Sequence, residues 1–100
     1  MDNTETVMNR KEILSSAQRA IRGLVTPNIQ AITIRYSSSP VILKVYFDEE
    51  PSQTECSLIK DISSKISTDF KEITEIRDEF QVNETLVCLD DWIYLQITDN

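Results

Sequence analysis

Gln30-Ala31-Ile32-Thr33-Ile34-Arg35-Tyr36-Ser37-Ser38-Ser39-Pro40-Val41-Ile42-Leu43-Lys44-Val45-Tyr46-Phe47 decides the fold. On either side of a polar turn the apolar residues recur every second position, the period of a half-buried strand. Ile32, Ile34 and Tyr36 fall on one side of the first run, with Thr33 and Arg35 on the other. In the second run Val41, Leu43, Val45 and Phe47 make the core face and Ile42, Lys44, Tyr46 and Asp48 the opposite one. A four-residue Ser-Ser-Ser-Pro connection joins them as an antiparallel hairpin.

Upstream, Ile13, Ala17, Ala20, Ile21 and Leu24 share one face of a helix that begins near Asn9. Gly23 stands where a left-handed C-terminal cap is wanted, and Pro27 forbids continuation. Downstream, Asp48-Glu49-Glu50-Pro51 ends the second strand, and Ser52 with Glu55 matches a capping box. The helix that follows carries Ile59, Ile62, Ile66 and Phe70 as its apolar stripe. Residues 72 to 82 alternate again, with Thr74, Ile76, Asp78, Phe80 and Val82 on one side and Ile73, Glu75, Arg77, Glu79 and Gln81 on the other. Asp78 interrupts the apolar face, and a bulge there would resolve the conflict. Residues 83 to 90 fit either a short strand or a loop that plugs the core. The final strand places Ile93, Leu95 and Ile97 inward and Trp92, Tyr94 and Gln96 outward.

The expected fold is therefore α+β, one domain over residues 1–100 in the order α-β-β-α-β-β. It is a two-layer sandwich with both helices on one face of a mainly antiparallel four-stranded sheet, made of two hairpins joined by the second helix. Residues 1 to 8 offer little to bury and should fray.

Composition narrows the function. There is no His, a single Gly, and seventeen acidic residues stand against ten basic ones, a net charge of −7. Without His the chain lacks the usual neutral-pH proton shuttle and metal ligand, and one Gly cannot build a phosphate-cradling loop. Exposed carboxylates such as Glu75 and Glu79 have no reason for a shifted pKa, and no base stands by Cys88, so the reading is not an enzyme, with no cofactor and no metal. The negative field repels nucleic acid and anionic membranes and attracts a basic protein partner. No start signal or membrane-length apolar run is present, so a cytoplasmic location is expected, with Cys56 and Cys88 as reduced packing residues.

The open sheet face is expected to display Arg35, Lys44, Tyr46, Asp48, Glu75, Arg77, Glu79, Trp92, Tyr94 and Gln96. Trp, Tyr and Arg among charges form the inventory of an interface, although exposed aromatics on a sheet also serve merely to brace neighbouring strands. The acidic approaches to the second helix compete with that face. The residues expected to bind a partner are Asp48, Glu49, Glu50, Glu75, Glu79, Trp92 and Tyr94.

Three stretches carry a resemblance: Ala20-Ile-Arg-Gly-Leu-Val-Thr-Pro-Asn-Ile-Gln-Ala-Ile-Thr-Ile-Arg-Tyr36, Val41-Ile-Leu-Lys-Val-Tyr-Phe-Asp-Glu-Glu-Pro-Ser52, and Ile66-Ser-Thr-Asp-Phe70. With their Gly-ended helix, Thr-Pro-Asn turn and Tyr-Phe-Asp strand end, they resemble small bacterial toxin-immunity proteins, including those of contact-dependent growth inhibition. The resemblance implies neutralisation of a toxin domain, commonly a nuclease; the chain itself is expected to be a monomer or weak homodimer. The alternative is a self-associating or adaptor module without catalytic activity.

Overall fold

The computed structural model describes residues 9–96. Residues 1 to 8, where fraying is expected, and Ile97 lie outside that range. The chain runs α1 (Arg10–Ile21), β1 (Ile29–Arg35), β2 (Val41–Phe47), α2 (Gln53–Asp69), β3 (Ile76–Val82) and β4 (Asp91–Leu95).

Local chemistry sets the helix ends. The Asn9 side chain accepts from the Glu12 amide at 3.1 Å to open α1, and Gly23, at φ +77°, turns the chain after it. Ser52 and Glu55 form the capping box in full, with the Glu55 amide donating to Ser52 Oγ at 3.1 Å and the Ser52 amide to Glu55 Oε1 at 2.9 Å. These bonds satisfy backbone donors that a helix start otherwise leaves unpaired.

β1 and β2 are antiparallel neighbours, as their spacing predicts. The rest of the sheet differs from two hairpins. Its order is β3-β2-β1-β4, with β3 parallel to β2 and β4 antiparallel to β1, so the sheet is mixed. The reason is geometric: a helix of 17 residues returns the chain about 25 Å, the length of a strand, and so the next strand starts at the same end as the last. β3 and β4 occupy opposite edges and never meet.

One hydrophobic core fills the space between sheet and helices. Ile13, Ala17, Ala20 and Ile21 of α1 and Ile59, Ile62 and Ile66 of α2 pack with Ile32, Ile34, Leu43, Val45 and Phe47 from one face of the sheet. That the odd-numbered residues of β2 face the core follows from the alternation. β3 pairs residue for residue with β2 from Ile76 to Val82, without the bulge expected at Asp78. Asp78 does point to the helix side, where Ser63 Oγ of α2 donates to it at 3.3 Å. The strand does not break: Ser63 meets one Asp78 oxygen, while the other, Oδ1, is buried without a hydrogen-bond partner.

The irregularities sit elsewhere, in the pairing of β1. Thr33 aligns with Trp92 and Ile32 with Tyr94, so the register shifts by one residue at Ile93. That shift reverses the expected facing beyond it. Ile93 is buried and Tyr94 packs against the core, whereas Leu95, expected inside, is 43% exposed.

Candidate protein-binding surface

Because β4 is antiparallel to β1, it runs parallel to β3, and the chain must travel back along the full sheet to begin it. Residues 83 to 90 make that journey over the face that the helices leave open. Its stations are fixed by hydrogen bonds: the Asn83 amide to the Phe47 carbonyl, Val87 to the Tyr46 hydroxyl, the Leu89 amide to Thr33 Oγ1, and the Asp90 amide to the Ile34 carbonyl. From the level of Ile29, where β3 ends, to that of Ile34, where β4 begins, the path crosses three strand spacings and runs five residues along, a diagonal of roughly 22 Å. The nine links from Val82 to Asp91 reach about 30 Å when drawn out. This strap has length to spare, and hydrogen bonds rather than tension fix its path.

Two buried hydroxyls hold it. Tyr46, expected on display, is 1% exposed beneath the strap, where its oxygen donates to the Val87 carbonyl at 3.1 Å and accepts from the Val87 amide at 3.0 Å. Thr33 is fully buried and likewise bonds both ways, donating to the Asp91 carbonyl at 2.6 Å and accepting from Leu89 at 3.0 Å. Trp92 lies half-buried beside Tyr46, their ring centres 6.3 Å apart, and Lys44 Nζ stands 5.5 Å from the Tyr46 ring centre. Backbone donors on an irregular segment thus find partners inside the protein.

The acidic residues divide into three places. Asp48, Glu49 and Glu50 are exposed together at the end of β2. Asn28 shapes that corner, donating to the Glu49 carbonyl at 3.0 Å and accepting from the Glu49 amide at 2.8 Å, while Gln30 donates to Asp48 at 3.2 Å. The Asn83–Phe47 bond brings the start of the strap, and with it exposed Glu84, to the same corner. Glu79 is exposed in the middle of β3 and aligned with Lys44. Glu75 lies before β3, about 20 Å from the corner, and is ion-paired with Arg77 at 2.9 Å. Of the seven residues expected to bind, three form one patch, Glu79 and Trp92 flank the strap, Glu75 is remote, and Tyr94 belongs to the helix side.

The shifted acids have structural partners. Asp91 is held below the ordinary carboxyl range by Arg10, which donates two bonds to it, and by the Tyr36 hydroxyl at 2.5 Å. Burial and the same bond push the Tyr36 hydroxyl up to about 12. At Asp90 burial works to raise the pKa, but hydrogen bonds from Ser37 and from the Tyr36 and Ser37 amides outweigh it and lower it. Burial raises Asp78, against the Ser63 hydroxyl and Lys60. Among the described residues no cluster of His, Cys, Asp or Glu is arranged to hold a metal ion. Cys88, expected to pack inside, is exposed, and Cys56 is half-buried.

Sequence reading missed the strap as a platform. Its signal was present in Leu86-Val87-Cys88-Leu89, four apolar residues with no helical or strand period, but their placement depends on β3 being parallel to β2. Among the described residues no helix is long and apolar enough to cross a membrane. No curated protein is similar enough to count as a relative. A family model described as MafI2 immunity protein matches residues 10–97, which spans both helices and all four strands. The toxin-immunity resemblance thus holds, with a Maf-type family in place of contact-dependent growth inhibition, and the chain belongs to the MafI2 immunity protein family.

Proposed function

We propose that this chain neutralises a cognate toxin domain by binding it one to one through the acidic corner and the sheet face crossed by the strap, and that the toxin is a basic nuclease met in the cytoplasm. The observation that carries the reading is Asp48, Glu49, Glu50 and Glu84 at one corner: all are exposed, and none forms an ion pair with a basic side chain among the described residues. An enzyme that acts on a polyanion needs a positive cleft, and an acidic protein is drawn to that cleft and excludes substrate from it. Family membership supports a toxin as the partner. Binding alone suffices for this function, without catalysis or cofactor.

The test is co-expression with the carboxy-terminal domain of the protein encoded beside this gene. The expected outcome is rescue of growth together with a 1:1 complex on purification. Growth arrest despite full expression of this chain contradicts the proposal. A second reading, self-association, draws on β3, which pairs only with β2 among the described residues and carries Phe80 at 37% exposure. A stable dimer at micromolar concentration that excludes the toxin domain would favour it.

A further inference from the structure

The strap has a feature that its role as a connection does not require. Leu86 is 39% and Val87 54% exposed, although both are large apolar side chains on a segment whose backbone is fixed from below. A loose loop would fold such side chains under itself. Here the Tyr46 hydroxyl fixes both the amide and the carbonyl of Val87, and the Thr33 hydroxyl holds the Leu89 amide two residues on. The apolar pair is therefore presented in one conformation before any partner arrives, which removes much of the ordering cost of association.

Charge identifies what it meets. Of the acids in residues 83 to 91, Asp91 is ion-paired with Arg10, while Glu84 joins the strap to the corner of Asp48, Glu49 and Glu50; Lys44 is the base that shares the surface with Glu84 and Val87. The surface is an apolar knob with an acidic rim on that side. A second copy meeting it face to face would set acid against acid, which opposes symmetric pairing. The complementary partner has an apolar recess edged by Lys or Arg. Resting on the toxin-neutralising reading above, we infer that Leu86 and Val87 enter such a recess on the toxin domain and hold the complex, while the acidic corner governs how fast it forms.

The division of labour is testable by kinetics. Leu86→Ser with Val87→Ser, measured against the same toxin domain, should raise the dissociation rate by about tenfold or more. Its salt dependence of association should be unchanged, and so should the melting temperature, because both side chains are exposed. Tyr46→Phe, which keeps the ring and removes the pin, should speed amide exchange at Val87 and raise the dissociation rate in the same direction. Wild-type dissociation from the double variant, in a complex whose association still responds to salt, overturns this inference and leaves the toxin-neutralising reading standing. A wild-type chain that does not bind the toxin domain at all overturns both.

Discussion

Glu55 shows how much one side chain settles. Its carboxylate accepts from Thr26 Oγ1 at 2.6 Å, from the Ser52 amide and from Asn28 Nδ2, tying the turn after α1 to the start of α2. The Thr26 and Ser52 bonds hold its pKa below the usual range. A carboxyl of this kind stabilises the fold while ionised, so its contribution, like those of Asp90 and Asp91, is complete above about pH 5 and is lost as pH falls through the folded value. Asp78 runs the other way: its pKa is raised, so its ionised form opposes folding, and acid relieves the penalty. Asp78→Asn should therefore raise the melting temperature at pH 7 by a few degrees, with the gap to wild type closing as pH falls below the Asp78 value. Ser52→Ala should cost about 1 kcal/mol in a denaturant titration, since Ser52 Oγ caps the Glu55 amide. The Ser52–Glu55 box was legible because its two members are three residues apart. The conflict at Asp78 was legible as well, but its pairing with Ser63 was not, because no local rule links residues 15 apart on a helix and a parallel strand.

At the scale of elements, the strap is the piece whose removal has consequences beyond itself. Tyr46→Phe deletes a hydroxyl bonded twice to Val87, so it should destabilise the fold by about 1 kcal/mol. Urea unfolding checks the magnitude. The helices and the β1–β2 hairpin follow from period and punctuation alone. What periodicity does not encode is which strand lies beside which: a helix between β2 and β3 already requires a parallel return, and that requirement sends residues 83 to 90 over the open face. The same limit explains Tyr94 and Leu95. Strict alternation puts Tyr94 outside and Leu95 inside, and one extra residue at Ile93 exchanges their environments. Trp92, before the shift, stays on the open face beside Tyr46.

For the whole molecule, the net charge of −7 is unevenly spread. Four of the ten basic residues, Arg10, Lys11, Arg19 and Arg22, lie on α1 or at its cap, while the corner of Asp48, Glu49, Glu50 and Glu84 gathers acid beside the strap. On the proposed reading, such asymmetry orients a basic partner as it approaches and raises the encounter rate. Glu49→Lys with Glu50→Lys should lower the association rate about tenfold at low salt while changing dissociation little, because rim charges act mainly on encounter. The acidic balance was legible from composition, and the corner from Asp48-Glu49-Glu50. Its continuity with Glu84 was not, since that depends on where the strap begins. The most direct measurement is the rate of association with the carboxy-terminal domain of the protein encoded beside this gene, followed by stopped flow across a series of salt concentrations. The account predicts a 1:1 complex whose association slows steeply with added salt while dissociation barely changes. An association rate indifferent to salt, or no complex at all, would contradict it.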